Sequence, residues 1–147
     1  MNKNITITNM TIQDLLSIQD VLETDFDDFW SFSILKDELE NSNSNYLTAK
    51  MGTEIVGFVG IWQSLDVIHI TNIVTKKSKR NLGIASSLLQ KAINLAMEKN
   101  ATSITLEVNK KNIPAINLYK KFKFQEVGYR KRYYNGTDDA LIMTIYF

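Results

Sequence analysis

The chain has 147 residues, 44% hydrophobic and 22% charged, with a formal net charge of +1, no cysteine and a single histidine, His69. This balance suits one folded domain spanning residues 1–147 and excludes a disordered chain, and the near-neutral charge argues against a generally basic nucleic-acid binder. Without cysteine there is no disulfide, no thiolate metal site and no cysteine acyl-enzyme; with one histidine a His-rich metal centre is hard to build, and no metal is expected.

The first ten residues are polar and alternating and lack the apolar stretch of a signal peptide. Nowhere does the chain hold the roughly 20 apolar residues of a membrane span, so a cytoplasmic protein without membrane contact is expected. Ile5 and Ile7 alternate with Thr6 and Thr8, the period of a strand. Thr11, with Asp14 three residues on, predicts a capping box; Ile12, Leu15, Leu16, Gln19 and Leu22 follow at helical spacing. An acidic, aromatic stretch, residues 25–30, precedes a short helix that Ser33 would cap and that carries Ile34, Leu35 and Leu39. Residues 46–50 and 54–62 flank Met51-Gly52-Thr53 as a hairpin, and residues 67–75 form a third β-branched run.

A basic turn, Lys76 to Arg80, leads to Gly83 and then to the clearest helix of the chain, with Ala85, Leu88, Leu89, Ala92, Leu95 and Ala96 on one face. Residues 102–108 read as a strand. Residues 112–122 read as a helix with Pro114 in its first turn, where the missing N–H costs nothing. Two strands, 125–133 and 140–147, flank Asn135-Gly136. The order β-α-α-β-β-β-α-β-α-β-β predicts an α+β domain with one mixed sheet covered by helices.

Strand, glycine loop and long helix together form an anion site. The helix start offers unpaired N–H groups and a partial positive charge, Gly83 lets a phosphate approach the backbone, and Ala85 is nearly as small. Ala85-Ser86-Ser87 excludes a P-loop, which needs Lys-Ser/Thr after its last glycine, and the lack of further glycines excludes a dinucleotide fingerprint. On these residues alone, an ordinary helix start beside a solvated basic turn remains the alternative. Arg80-x-x-Gly83-x-Ala85 is similar to the Q/R-x-x-G-x-G/A signature of the GNAT acetyltransferase superfamily, and the order of elements matches over nearly the whole chain. The resemblance implies a mixed, mostly antiparallel sheet of six or seven strands flanked by about four helices. It also implies that the loop Arg80-Asn81-Leu82-Gly83-Ile84-Ala85, with Ser86, holds the pyrophosphate of acetyl-CoA. The backbone of Ile73, Val74 and Thr75 would bind its pantetheine arm, with an N–H near Val74 or Thr75 stabilising the oxyanion.

Alternation in the strand 102–108 turns Ile104, Leu106 and Val108 one way and Thr105 and Glu107 the other. Glu107 is either a solvated strand end or a general base, which amine acetylation needs because an α-amine, with a pKa of about 7.7–8.0, is largely protonated near neutral pH. Tyr119 is either a core aromatic or a general acid for the departing thiolate; Asn112 is a helix N-cap or a donor to the cofactor. Leu106-Glu107-Val108, Asn112 and Ala115-Ile116-Asn117-Leu118-Tyr119 resemble the L-E-V…N…A-x-x-L-Y pattern of the bacterial ribosomal-protein-alanine N-acetyltransferases. That resemblance assigns the base to Glu107, the acid to Tyr119 and an acetyl-CoA contact to Asn112.

Arg130-x-x-Tyr133-Tyr134 followed by Asp138-Asp139-Ala140 is similar to the ending of the same family, and Phe29-Trp30-Ser31 to its P-W-S segment. These imply Phe29, Trp30, Tyr133 and Tyr134 in the acceptor site, with one tyrosine of the alternating pair facing the groove. The implied acceptor is the N-terminal alanine of a small-subunit ribosomal protein, whose basic N-terminus Asp25, Asp27 and Asp28 would meet; no direct nucleic-acid contact is implied. The chain departs from the pattern at Phe29 for proline, at Lys123 for a helix-ending glycine, and at Lys76-Lys77, which would carry charge toward the cofactor phosphates. A small-molecule amine such as a polyamine or antibiotic is the rival acceptor, and a catalytically silent acyl-CoA-binding module the rival class.

Overall fold

The computed structural model describes residues 4–26 and 31–147. Seven strands form one sheet in the order β1-β2-β3-β4-β5-β7-β6. They are β1 Ile5–Asn9, β2 Ser44–Met51, β3 Glu54–Ser64, β4 Val67–Thr75, β5 Ser103–Asn109, β6 Gln125–Tyr134 and β7 Asp138–Tyr146. Every pairing is antiparallel except β4 with β5.

The helical segments are α1 Ile12–Ser17, α2 Leu22–Asp25, α3 Phe32–Leu39, α4 Ile84–Glu98 and α5 Ile113–Lys121. The expected first helix is therefore broken: α1 and α2 are separated by a 3-10 turn, Gln19–Val21. Thr11 and Asp14 close the capping box at its start. Near its end the Ser17 hydroxyl donates to the Asp14 carbonyl at 2.6 Å, a bond that competes with the helical ladder. Ser31, not Ser33, caps α3, accepting from the Ile34 N–H at 3.4 Å.

The sheet separates two apolar layers. One holds α4 and α5 with Ile68, Ile104, Leu106 and Val108; the other holds Leu15, Leu22, Phe26 and Leu35 from α1 to α3, against Phe58 and Val74. Within the first layer α4 buries Ile84, Leu88, Leu89, Ala92, Ile93 and Ala96, each large aliphatic among them contributing roughly 1.5–3 kcal/mol. This packing fixes where the N-terminus of α4 points.

Two irregularities in β4 shape the centre of the sheet. Gly60 pairs with Asn72 and Ile61 with Ile70, so Thr71 is a one-residue bulge. The bulge shifts the alternation: Ile68 and Ile70 face the α4 side, whereas Val74 faces the α1–α3 side. Gly60 is required opposite it, since a Cβ there would fall on the Tyr46 ring and lie 2.7 Å from Asn72 Oδ1. In addition, β4 and β5 pair only from Val67–Ser103 to Ile70–Leu106, although the strands run on to Thr75 and Asn109. Beyond Ile70 they part, leaving a cleft in the sheet.

Candidate active site

The cleft between the diverging ends of β4 and β5 opens into three cavities with shared walls. The first, about 720 Å³, lies at the start of α4 and is bounded by Arg80, Asn81, Gly83, Ile84, Ala85 and Ser86 on one side. Ile73 and Thr75 of β4 and Asn112 and Tyr119 of α5 bound it on the other. The second, about 280 Å³, occupies the cleft itself and is reached by Val74, Glu107, Asn112, Tyr119 and Tyr134. The third, about 460 Å³, lies beyond it, among His69, Thr71, Glu107, Arg130, Tyr133 and Tyr134. Asn112 and Tyr119 thus border the first two, and Glu107 and Tyr134 the last two.

The first cavity is built largely from backbone. Gly83 stands at the N-cap of α4 with φ 78°, a left-handed conformation that L side chains rarely adopt, and no side chain caps the helix. The first intrahelical bond runs from the Ser87 N–H to the Gly83 carbonyl at 3.0 Å, so the amides of Ile84, Ala85 and Ser86 have no ladder partner. Asn81, at φ 66°, turns the chain into this loop. Uncapped amides at the positive end of a 15-residue helix, with the Arg80 side chain beside them, fit a pyrophosphate. Leu82 is 45% exposed and does not line the cavity.

The backbone of β4 supplies the opposite wall. The Lys76 N–H donates to the Val56 carbonyl of β3 at 2.8 Å, and alternation in the ladder directs the polar groups of Val74 the same way. Those of Ile73 and Thr75 point into the cleft that β5 has left. The pantetheine and oxyanion donors expected over residues 73–75 are therefore available at Ile73 and Thr75 and turned away at Val74. Lys76 is directed elsewhere too: its Nζ lies 2.8 Å from Glu54 Oε2 and 3.9 Å from Asp25, so it does not reach the phosphate site.

At the junction, Glu107 faces away from α4, as alternation in β5 predicts, and its Oε2 is closed to solvent. Arg130 Nε stands 2.6 Å from that oxygen. Tyr119 is 6% exposed, packs edge-on against Phe124 at 5.9 Å, and burial pushes its phenol up to about 12. It is the core aromatic that the sequence offers as one reading, and it also lines the first two cavities, where the other reading, a general acid, would need it. Asn112 is likewise the N-cap of α5, accepting from the Ala115 N–H at 3.3 Å, while lining the first two cavities.

Both Tyr133 and Tyr134, expected in the acceptor site, line the third cavity, with rings 5.0 Å apart. The expectation that only one faces the groove fails because β6 bulges: Arg130 pairs with Ala140 and Tyr134 with Asp138, so three residues stand opposite one. Arg132 takes φ 52° there and its N–H donates to Asp139 Oδ1 at 2.9 Å. Asp138 accepts from Asn109 Nδ2 at 3.1 Å and pairs with Lys111 at 2.9 Å. The two aspartates thus build the hairpin that presents the tyrosines. Burial, then the Glu107 charge, pushes the Tyr134 phenol up to about 12.

Phe29, Trp30, Asp27 and Asp28 lie outside the described residues. Two residues of the third cavity have no place in the site as read from the sequence, although Arg130 stands in the family ending. His69 packs at a tilt of 47° against Trp62, with ring centres 5.4 Å apart, and burial lowers its imidazole pKa; Arg130 pairs with Glu107. Their link to Glu107 depends on the strand register, which residue spacing along one strand does not carry.

Known proteins agree with this geometry. The Acetyltransferase (GNAT) family matches residues 13–124. A Bacillus subtilis protein, described as a candidate ribosomal protein bS18-alanine N-acetyltransferase, is 36% identical over 148 aligned positions, covering 99% of this chain and 97% of that protein. The ribosomal protein bS18-alanine N-acetyltransferase of Haemophilus influenzae is 34% identical over 123, covering 80% and 82%. The crystal structure of the ribosomal-protein-S18-alanine N-acetyltransferase of Escherichia coli superposes with a TM-score of 0.87 at 24% identity, covering 97% of this chain and 93% of that one. The chain belongs to the GNAT family and is an acetyl-CoA-dependent N-acetyltransferase.

Proposed function

We propose that the enzyme moves the acetyl group of acetyl-CoA to the N-terminal α-amine of a ribosomal protein, an alanine amine of the small subunit, in the cytoplasm. The observation that carries this reading is Glu107 at the junction of a cofactor-side cavity and a tyrosine-walled acceptor cavity. The names of the Bacillus and Haemophilus relatives support the acceptor.

The amides of Ile84, Ala85 and Ser86 hold the pyrophosphate, and the cleft-facing N–H groups of Ile73 and Thr75 hold the pantetheine arm and the acyl oxygen. Acetyl-CoA supplies the activated thioester. Glu107 takes one proton of the acceptor ammonium, directly or through water, so that a neutral amine attacks the acetyl carbon; as the C–S bond breaks, the nitrogen's second proton passes to the thiolate or to solvent. Tyr119 donates to the departing thiolate. With its phenol at about 12 and a thiol near 8.5, full transfer is uphill by about 5 kcal/mol, so most of its contribution is a hydrogen bond to the thiolate. No acyl-enzyme forms in this scheme, and the chain has no cysteine to carry one.

Acetyl transfer to a panel tests the reading: alanine-starting ribosomal peptides, peptides with other first residues, lysine peptides blocked at their N-terminus, and polyamines. Alanine-starting peptides should give the highest kcat/KM. Transfer confined to polyamines or lysine side chains would refute the acceptor assignment while leaving the acetyltransferase intact.

A further inference from the structure

The reaction scheme gives no part to Arg130, yet among the described residues its contact with Glu107, 2.6 Å from Nε to Oε2, is the shortest ion pair. That same oxygen is closed to solvent and accepts no hydrogen bond of good geometry among the described residues, so the guanidinium is what answers its charge. The Arg130 side chain is 58% exposed and its guanidinium lies over the Tyr133 ring, 5.5 Å from the centroid. The arginine therefore makes both contacts at once, the carboxylate on one side and an aromatic face on the other.

We infer that Arg130 is a latch on the acceptor site: its guanidinium occupies the position against Glu107 that the acceptor ammonium must take, and the acceptor displaces it. The inference rests on Glu107 being the group that receives the acceptor amine. Both cations seek the same carboxylate, and the guanidinium, which lines the third cavity with Glu107, already stands 2.6 Å from its buried oxygen. Displacement is cheap because the Arg130 side chain is largely exposed and the released guanidinium can keep its contact with the Tyr133 ring. Once acetylated, the acceptor nitrogen is a neutral amide that cannot pair with a carboxylate, so when Glu107 has passed its proton to solvent and is charged again, Arg130 returns and product leaves. The other polar groups facing the pair, His69, Tyr133 and Tyr134, carry no positive charge that could substitute, since burial lowers the His69 pKa. Arg130 is a positioning residue that makes occupancy depend on a charged amine.

The test is binding, measured by calorimetry on the CoA-saturated enzyme with an alanine-starting decapeptide, and with ethylammonium as a cation carrying no peptide. Arg130→Gln should bind both about fivefold tighter, the factor equivalent to about 1 kcal/mol for a partly exposed ion pair. Arg130→Met, which keeps the aliphatic stem on Tyr133, should do the same. In a Glu107→Gln background the gain should vanish, because the latch has nothing to hold. Unchanged or weaker binding by both Arg130 variants overturns the latch. A gain that persists undiminished in the Glu107→Gln background also overturns it, because that is general charge repulsion. These readouts are affinities; the role of Glu107 as base is read separately from kcat, and ethylammonium keeps the latch testable if the peptide is the wrong acceptor.

Discussion

The two halves of the proposed site, one for the cofactor and one for the acceptor, are made of different material. The cofactor half is mostly backbone: uncapped amides at the start of α4, a left-handed glycine, and two cleft-facing residues of β4. The acceptor half is mostly side chains drawn from β4, β5 and β6, and it depends on a splayed strand pair and two bulges to bring them together. A backbone site is specified by a few consecutive residues and tolerates most side chains. A side-chain site needs the whole sheet in register, and each of its groups is placed separately. Substitutions should therefore act sharply on turnover in one half and moderately on cofactor affinity in the other.

The largest expected effect is at Glu107. Glu107→Gln keeps the shape and removes the proton acceptor, so kcat should fall by roughly 10²–10⁴ with acetyl-CoA affinity nearly intact. The deficit should shrink as pH rises through the acceptor amine pKa, about 7.7–8.0, because solvent then supplies the free amine. A kcat equal to wild type would remove Glu107 from the base role and leave the acceptor half without a distinct chemistry.

Tyr119 comes next, because it borders the cofactor half but acts through its side chain. Tyr119→Phe should slow transfer by on the order of 10², the lower end for lost acid catalysis, given that the phenol mainly hydrogen-bonds. Its pKa is raised, so the donor form is complete below the ordinary phenol value and is lost only as pH passes about 12. The wild-type rate should then show no alkaline fall up to about pH 10. A fall near pH 9 that disappears in Tyr119→Phe would contradict the burial of this phenol.

What could be read in advance follows the same division. The capping box at Thr11 and Asp14, the helix from Gly83 and the hairpin at Asn135-Gly136, where both residues take positive φ, are signals contained within a few residues. The face of Glu107 followed from period-two alternation alone. Alternation misled at Tyr133 and Tyr134 because the bulge at Arg132 is held by Asp139 on another strand. Lys76 was misread toward the phosphates because its partner, Glu54, lies 22 residues away across a strand pair. Asn112 and Tyr119 looked like choices between packing and chemistry; in the fold packing does not exclude the cavity, since α5 caps itself and lines the cavity with the same residues.

Gly83 tests the backbone half directly. Gly83→Ala forces a Cβ into φ 78° at the helix start, at a cost of about 1–2 kcal/mol. Relaxation of that strain reorients the three uncapped amides, so acetyl-CoA should bind roughly tenfold more weakly, while kcat at saturation changes by less than about threefold. If kcat fell as far as in Glu107→Gln while affinity held, the amides would be organising the reaction centre rather than the cofactor, and the two halves would not be separable.

The smallest effect is expected at Lys123, and its value is that it should touch neither half. The end of α5 is a Schellman arrangement: the Phe124 N–H donates to the Tyr119 carbonyl at 3.0 Å and the Lys123 N–H to the Lys120 carbonyl at 3.0 Å, with Tyr119 and Phe124 in ring contact. Lys123 holds the left-handed position of this motif at φ 78°, where glycine carries no steric penalty. Lys123→Gly should thus stabilise the fold by about 0.5–1 kcal/mol, the relief of strain less the entropy glycine gains when unfolded. Thermal unfolding should report it as a rise of roughly 1–4 °C in Tm. Because α5 carries Asn112 at one end and Tyr119 in its last turn, a change in kcat or in either KM would mean that strain at Lys123 is transmitted along the helix into the site. Unaltered kinetics with a higher Tm would mark the C-terminal cap as part of the scaffold alone.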